Sequence, residues 1–470
     1  MDHSLEEGGI QLNEDSIPSL FSFITFRRES VGGFLFNPYL FNEIPLNNIE
    51  IRILEHCNGK FSLRDITGRI RDELSLSHDQ SYQCVHEAMN VFEGYCAINW
   101  LHQQQDSADL GGSTACSMHP SAGCQARDNS ILSAPLSVLW EITHECNLRC
   151  KHCLIDAGVQ DKEEMSLEEV KSTIVQLAEL NVLKITFGGG EPLVRKDFMD
   201  ILDYATGFDL GIKLSTNGML VNDRLLDRLE DTNVCSVQVS VDGMESTHNA
   251  FRGSERSFKK ATSALKSFSD AGYWTMMSTA ITRCNIDELE EILELAVDCG
   301  VSSFKASPFI PVGRGRENIE ELAISQQEIS ALAGIMLEKK QEYSDVIDLQ
   351  IDGLFPWLLG PCDGTHDHAS RVGCSAGVSE VVITPTGDVL ACPFLQDYVA
   401  GNLRDRSLKD IWEDSEIFNV FRNLTSDQLG GACRSCGYVP DQCQGGCRAA
   451  AFAWTGDLFA QDPHCWKGLE

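Results

Sequence analysis

The chain has 470 residues, of which 43% are apolar and 23% charged, values typical of a folded protein with about three domains. Its 70 acidic and 37 basic residues leave a formal net charge of −33, which argues against a general nucleic-acid binder, because such proteins need a basic surface. The first residues are acidic and no run of about 18 uncharged apolar residues occurs, so we expect a cytoplasmic protein without a membrane anchor.

Residues 18–101 have the pattern of a small α+β domain. The stretches FSFITFRR and GGFLFNPYLF predict a β-hairpin, and three helical patterns follow, the second of them capped by Ser62. Residues 102–134 are rich in Gly, Ser, Gln and Asp, which is typical of a linker.

Apolar strands and amphipathic helices alternate from residue 135 to about 310. This alternation predicts an α/β fold with a parallel sheet, and six strands in sequence fit a partial (β/α)6 TIM barrel. We place this core at 135–335, a connecting helix at 336–360 and a separate domain at 361–470. Polar motifs follow the first four strands, at the edge where such barrels carry their active sites: THECNLRCKHC, GGGEP, STNG and SVDG.

Three cysteines follow the first strand with C-x3-C-x2-C spacing: Cys146, Cys150 and Cys153. A closed structural zinc or iron–sulfur site takes four protein ligands, so three thiolates leave one metal position open to another ligand. The alternatives are a zinc site with a remote fourth ligand, or three buried thiols.

The motifs CNLRCKHC, GGGEP, STNG and SVDG followed by FRG resemble the radical S-adenosylmethionine superfamily over about residues 135–310. The resemblance implies a [4Fe–4S] cluster whose open iron chelates S-adenosylmethionine, which is cleaved to a 5′-deoxyadenosyl radical that abstracts a substrate hydrogen. It also implies a set of cofactor-binding residues on the loops after the strands: Gly189, Gly190, Glu191, Ser215, Asn217, Ser240, Arg252 and His152.

The residue types in this set suit a zwitterionic ligand. Glycines let the backbone approach closely, Glu191 can accept from the ammonium group, and the guanidinium of Arg252 suits the carboxylate. Asn217 and Ser215 are placed to reach the ribose or the carboxylate, and a structural turn is their alternative role. The alternative for Arg252 is a surface arginine. His152 lies near the adenine by resemblance, and an imidazole packed on the loop is an equal alternative.

The late cysteines resemble the SPASM extension of radical enzymes, which carries two auxiliary [4Fe–4S] clusters. The resemblance assigns three residues to the first cluster, with Cys362 as a further candidate: Cys374, Cys392 and Cys447. It assigns four to the second: Cys433, Cys436, Cys443 and Cys465. If Cys362 is not a ligand, the first cluster has an open iron able to bind a substrate thiolate. Zinc is the alternative metal, since C-x2-C pairs also occur in zinc ribbons.

Little regular periodicity is visible beyond residue 361, so we expect a domain organised by metal rather than by a large apolar core. Of the 19 cysteines, the eleven assigned to clusters leave eight, which we expect to be mostly buried apolar thiols.

The motifs FRRESVGGFLFNP and LNNIEIRILEHCNGKFSLRDI resemble the PqqD-like leader-peptide recognition domain, a winged-helix-like α+β fold that adds the leader as a strand to its sheet. An ordinary winged-helix module is the alternative. The order of domains, and the motif GRGRE with Arg314 and Arg316, resemble the subtilosin-type thioether synthases. This implies an enzyme that crosslinks a precursor peptide through a thioether and receives electrons from a low-potential ferredoxin or flavodoxin.

Other functions stay open. Radical enzymes also decarboxylate peptides or join carbon atoms for a redox cofactor, modify tetrapyrrole side chains and form formylglycine in sulfatases, although the last two have no use for residues 18–101. An iron–sulfur electron carrier or a peptide-binding scaffold is the non-enzyme alternative, and neither needs an open iron. No catalytic residue or general base is identified from the sequence.

Overall fold

The computed structural model describes residues 13–30, 32–101, 131–161, 163–350 and 372–467. Its internal contacts divide the chain into two units. The first contains the described residues up to Asn37 and those from Asn42 to 101; the second contains residues 38–41 and the described chain from 131 onward. Each unit is described by itself.

The first unit combines two small antiparallel sheets with three helices. Its strands are β1 Ile17–Leu20, β2 Thr25–Arg28, β3 Gly33–Asn37, β4 Asn42–Leu46 and β5 Ile98–Leu101. Its helices are α1 Asn48–His56, α2 Leu63–Leu74 and α3 His78–Gly94. Strands β2, β3 and β4 form one sheet in that order, and β1 pairs with β5. The hairpin and the three helices predicted from the sequence are therefore present, and the Ser62 hydroxyl accepts from the Asp65 N–H at 3.2 Å, capping α2.

The core of the second unit alternates parallel strands with helices. The strands are β6 Ser137–Thr143, β7 Lys184–Gly189, β8 Gly211–Thr216, β9 Val234–Ser240, β10 Trp274–Ile281, β11 Ser303–Pro308 and β12 Asp348–Gln350. The helices are α4 Leu167–Glu179, α5 Phe198–Ala205, α6 Asp223–Leu229, α7 Glu245–Arg252, α8 Ser257–Asp270, α9 Leu289–Asp298, α10 Ile319–Leu322 and α11 Gln326–Glu342. Neighbouring strands from β6 to β12 pair in parallel in chain order, which confirms the predicted α/β class with a parallel barrel-type sheet.

The segment predicted as a connecting helix, 336–360, differs from the expectation. Helix α11 ends at Glu342, and β12 follows as a seventh parallel strand beside β11, with Ser303 opposite Asp348. The helix continues for about two turns of the predicted range before it ends, and the three-residue strand that follows is too short to give a periodic signal.

The tail contains more regular structure than the sequence suggested. Its strands are β13 Glu380–Ile383, β14 Asp388–Leu390 and β15 Val399–Asn402, and its helices are α12 Leu408–Asp414, α13 Glu416–Arg422 and α14 Arg448–Thr455. Strand β13 pairs in parallel with β6, so the tail extends the barrel sheet. Trp412 and Phe418 are fully buried in the same apolar core as the barrel. The expectation of a domain without a substantial apolar core is therefore wrong, because these elements bury their apolar side chains against the barrel.

Strand β6 shows how the core relates to the site. Alternate residues point to opposite faces of a strand. Val138, Trp140 and Ile142 belong to the apolar core, so Glu141 and Thr143 lie on the opposite face of the sheet. No helix among the described residues is long and apolar enough to cross a membrane.

The cysteines outside the cluster motifs follow the expectation in part. Cys57 and Cys299 are buried free thiols, whereas Cys284 is exposed. Cys96 is disulfide-bonded, which differs from the predicted free thiol. Cys116 and Cys124 lie outside the described residues.

The first unit has its own apolar core, so we predict that residues 13–101 fold as an isolated fragment. In that fragment, Ile66→Ala should lower the free energy of unfolding by about 2–5 kcal/mol, because Ile66 is 0% exposed and truncation leaves a cavity. The control Ile49→Ala changes a side chain that is 36% exposed and should cost much less. Urea unfolding followed by circular dichroism measures both, and equal losses would contradict the assigned core.

Candidate active site and metal centres

The three-cysteine loop begins directly after β6. Its first residues are fixed to the GGGEP loop after β7, because the Gly190 N–H donates to Thr143 O at 2.8 Å and the Glu191 N–H to Glu145 O at 2.9 Å. A Cβ at Gly189 or Gly190 would overlap a carbonyl oxygen of residues 143–145, and Gly189 also has φ +111°. Glycine is therefore required here for the close approach of the two loops.

Cys146, Cys150 and Cys153 lie close enough to act on one another. Burial, with smaller contributions from Glu191, Cys150 and Cys153, raises the pKa of the Cys146 thiol to about 11. Burial also raises the pKa of Cys150, and the Cys153 thiolate acts in the same direction. The Ala157 N–H donates to the Cys153 sulfur at 3.2 Å. The loop therefore brings the three predicted ligands together in a place where the bare thiolates are unstable.

Glu191, which directly follows the last two glycines of the GGGEP motif, is fully buried. One carboxylate oxygen accepts from the Thr216 hydroxyl at 2.8 Å, and the other accepts from the Asn217 N–H at 2.7 Å. Burial raises the pKa of Glu191 to about 7, although these donors favour its ionised form. A carboxylate offers about four acceptor positions, so Glu191 can still accept from a cationic group, which would also favour ionisation.

The STNG loop contacts the cysteine loop directly. The side-chain amide of Asn217 donates to Asn147 Oδ1 at 2.7 Å and lies 3.9 Å from the Cys146 sulfur. Ser215, two residues earlier, lies 3.5 Å from the side-chain amide of Gln238. The structure therefore places Asn217 beside a predicted cluster ligand and Ser215 beside Gln238 of β9.

Arg252 is not a surface arginine. It is 7% exposed, and its guanidinium donates to Asp242 of the SVDG motif, with Nε at 2.7 Å and Nη2 at 2.5 Å from Oδ2. Burial opposes the charge of Arg252, but Asp242 and Cys150 raise its pKa above the ordinary value. Ser240 ends β9, two residues before Asp242. The predicted carboxylate-binding arginine is thus paired with a carboxylate of the chain itself, a partner that the sequence analysis missed.

His152 packs on the loop. Its ring stacks on Phe251 with centroids 4.3 Å apart and an interplanar angle of 9°, and its Nε2 lies 3.7 Å from Asp242 Oδ2. Burial lowers the pKa of His152 to about 4, so the ring is neutral at neutral pH. Of the two interpretations of His152, this geometry favours the packed imidazole.

The late cysteines form two groups. In the first, burial raises the pKa of Cys392, and the thiolates of Cys374 and Cys447 raise it further. In the second, the Cys443 thiol has its pKa raised to about 11 by burial, with contributions from Cys433 and Cys465. Cys436 acts on both Cys433 and Cys465. These groupings match the two sets expected from the sequence, apart from Cys362, which lies outside the described residues.

Asp462 is a further residue of the tail site. It is 8% exposed, accepts from the Cys447 N–H at 2.6 Å and raises the pKa of Cys447, after burial, which is the main cause. It also acts on Cys433 and Cys465 of the other group. Asp462 therefore lies between the two groups. Its position in DPHC, three residues before the last cysteine, was the available signal.

Glu141 is a buried acid that the sequence analysis did not use. It lies on the face of β6 opposite the apolar core, is 2% exposed, and accepts from the Gln396 amide at 3.1 Å. Its second oxygen is 3.6 Å from His144 Nε2. The signal in the sequence was a glutamate inside the apolar strand SVLWEIT, because acidic residues are rarely buried in such strands.

The cysteine groups fit iron–sulfur clusters chemically. Buried thiols with raised pKa values ionise readily only when a metal supplies positive charge. Within the described ranges, no three His, Cys, Asp or Glu side chains converge closely enough to hold a single metal ion. In a [4Fe–4S] cluster each thiolate binds a different iron, so the ligands of a cluster are spaced more widely than those of one ion.

Family comparisons agree with these features. The model of the Radical SAM superfamily matches residues 140–296, and that of SPASM, an iron–sulfur cluster-binding domain, matches residues 374–437. Mycofactocin maturase MftC of Mycolicibacterium smegmatis is 35% identical over 357 residues, covering 72% of this chain and 84% of that protein. AdoMet-dependent heme synthase of Methanosarcina barkeri is 28% identical over 362 residues, which cover 72% of this chain and 97% of that protein. The crystal structure of Streptococcus suis SuiB bound to the precursor peptide SuiA superposes with a TM-score of 0.67 at 18% identity, covering 95% and 99%.

The metal assignment of the tail predicts a specific loss. Cys433→Ala should remove about four iron and four sulfide ions per chain, because it takes a ligand from the second group. Cys299→Ala is a matched control, since both thiols are 8% exposed and Cys299 belongs to no group. Iron and sulfide analysis after anaerobic reconstitution measures the loss; equal iron in both variants, or zinc in the native protein, would contradict the assignment.

We predict that Glu191 accepts from the ammonium group of S-adenosylmethionine, and a binding measurement tests this role. Glu191→Gln removes a charge-assisted acceptor worth about 1.5–3 kcal/mol, so S-adenosylmethionine should bind about 10- to 100-fold more weakly. Equilibrium dialysis with reconstituted protein measures the affinity. Glu230→Gln, at an exposed helix end, is the control. Unchanged affinity in Glu191→Gln at native iron content would exclude this role.

Proposed function

The chain belongs to the radical S-adenosylmethionine superfamily, and from that membership we propose that it is a maturase that oxidises a ribosomally made precursor peptide. It is an enzyme that binds a [4Fe–4S] cluster with S-adenosylmethionine in its barrel and auxiliary iron–sulfur clusters in its SPASM domain. We assign the first cluster to Cys146, Cys150 and Cys153, and the auxiliary clusters to the two late groups.

The main support for a peptide substrate is the presence of the first unit. It has an apolar core of its own and contributes no residue to the cysteine groups, so radical generation does not account for it. The likeness to SuiB, whose structure includes a precursor peptide, extends over nearly the whole chain and so includes this unit. We propose that this unit is the domain that recognises the leader segment of the precursor peptide.

The sheet of the first unit is suited to strand addition. Among the described residues, β2 and β4 pair only with β3, so the three-stranded sheet has two edges. An extended peptide can add to such an edge through backbone hydrogen bonds, while its side chains enter neighbouring pockets. We propose that the leader binds at one of these edges.

The proposed reaction removes two electrons from the peptide. S-adenosylmethionine bound at the three-cysteine cluster would supply a 5′-deoxyadenosyl radical that abstracts a hydrogen atom from a carbon of the substrate. An auxiliary cluster held by the late cysteines would accept the second electron, and the partner group would lose one proton, as the crosslink forms. A low-potential ferredoxin or flavodoxin supplies the electron that starts the cycle.

We propose a thioether as the product, following the resemblance of the domain order to thioether synthases. The first late group has three described members, the thiols of Cys374, Cys392 and Cys447, and its fourth candidate, Cys362, lies outside the described residues. If no fourth protein ligand completes that cluster, its open iron can bind the peptide thiolate that becomes the thioether sulfur.

A second candidate is supported by the similarity to mycofactocin maturase, which is 35% identical to this chain over 357 residues. The chain would then mature a redox cofactor, by decarboxylating its peptide or by joining two carbon atoms. The two candidates share the radical, the auxiliary clusters and the leader-binding step, and they differ in the bond that forms.

The products distinguish these candidates. Anaerobic incubation of the reduced enzyme with S-adenosylmethionine and a cysteine-bearing precursor peptide encoded beside it should give 5′-deoxyadenosine and a peptide lighter by two hydrogens per crosslink. Loss of a thiol that alkylates with iodoacetamide identifies a thioether. A product lighter by carbon dioxide, or a two-hydrogen loss with the thiol intact, identifies the second candidate.

Two controls complete the experiment. Cys150→Ala removes a ligand of the radical cluster and should give neither deoxyadenosine nor a changed peptide. The iron porphyrin substrate class, suggested by the similarity to heme synthases, is offered in parallel. A converted porphyrin with an unchanged peptide would refute the peptide proposal.

A further inference from the structure

The motif GRGRE contains two arginines, one buried and one exposed to solvent. It forms a short helix, Gly313–Asn318, after β11. Arg314 is 6% exposed, whereas Arg316 is exposed and its Nε donates to Pro311 O at 3.3 Å. The proposed reaction uses neither residue, so the burial of Arg314 requires another explanation.

Arg314 is bonded to the three-cysteine loop at four points. Its backbone N–H donates to Cys153 O at 3.0 Å. Its guanidinium donates to Cys150 O at 2.9 Å through Nη1 and to Ala157 O at 2.6 Å through Nη2, which also lies 2.6 Å from Asp156 Oδ1. A planar fork with donors on both ends is what allows one side chain to bind two carbonyl groups. Arg314 therefore holds the backbone at two of the three proposed ligands.

The residues beside Arg314 strengthen this connection. Gly313 has φ +50°, and a Cβ there would lie within 2.6 Å of the carbonyl oxygen of Cys153. The Asn318 amide donates to Lys151 O at 3.0 Å and to Arg314 O at 3.2 Å. The segment 313–318 thus packs against the loop along residues 150–157.

The guanidinium also brings a buried positive charge to the loop. Its Nη1 is bonded to the carbonyl oxygen of Cys150, and the carboxylate with which it pairs, that of Asp156, is largely exposed to solvent. Its Nε is buried and has no hydrogen-bond acceptor among the described residues. Positive charge and hydrogen-bond donors near a cluster favour its reduced form, because reduction adds negative charge.

We propose that Arg314 is a positioning residue for the radical-generating cluster: it fixes the three-cysteine loop and, through its charge, makes that cluster easier to reduce. The inference rests on the assignment of Cys146, Cys150 and Cys153 to this cluster, and it does not depend on the identity of the substrate. A purely structural arginine would fix the loop without setting the potential.

The test uses the full-length reconstituted protein and three variants: Arg314→Met, Arg314→Lys and Arg316→Met. Redox titration followed by electron paramagnetic resonance gives the midpoint potential of the cluster whose signal changes when S-adenosylmethionine is added. In Arg314→Met the potential should shift to a more negative value, and deoxyadenosine should form about 10- to 100-fold more slowly with the same reductant. Arg314→Lys keeps the charge and should return the potential towards the native value. Arg316→Met, the control from the same motif, should leave both unchanged.

Each outcome decides between distinct claims. A native potential and a native signal in Arg314→Met would overturn the role of Arg314. If Arg314→Met does not load iron, Arg314→Gln, which keeps a neutral donor, is titrated instead, and an unchanged potential in that variant overturns the role equally. If the native protein has no cluster that responds to S-adenosylmethionine, the cluster assignment fails rather than the role of Arg314.

Discussion

Burial of thiols is the constraint on which the site depends. Burial raises the pKa values of cysteines in all three groups, and the thiolates within each group raise one another's further. Raised pKa values favour the protonated thiols, and as the proposed cluster ligands these side chains would have the charge of their thiolates compensated by iron. The surrounding chain reflects this need: Arg252 and Arg314 bring positive charge to Cys150, and the Asn217 amide lies beside Cys146.

The sheet explains how chain segments far apart in sequence contribute to one unit. The motif loops follow successive parallel strands, so their side chains gather at one edge of the sheet. Strand β13 of the tail pairs with β6, the strand that leads into the three-cysteine loop. The Glu141–Gln396 hydrogen bond joins the same strand to the segment just after Cys392. The radical core and the first late cysteine group are therefore held by shared backbone and side-chain contacts.

The sequence predicted those parts of the fold that have local signals. Alternation of strands and helices indicated the parallel sheet, and the C-x3-C-x2-C spacing marked the first cysteine group, whereas the division of the late cysteines into two groups came from the resemblance to the SPASM extension. The contacts that depend on distant residues were not predicted: the pair Arg252–Asp242, the links from Arg314 to residues 150–157, and Asp462 between the late groups. Strand β12 and the tail strands were missed because each has only three or four residues, too few for a periodic pattern.

The central claim is that a radical made at the three-cysteine cluster reacts with a peptide. Deuterium transfer tests this claim most directly. The reduced enzyme is incubated with S-adenosylmethionine and a precursor peptide deuterated at its carbon-bound positions, and the 5′-deoxyadenosine is examined by mass spectrometry. The account predicts deoxyadenosine that carries deuterium from the peptide. Deoxyadenosine that forms in the presence of the peptide but never contains deuterium would contradict it.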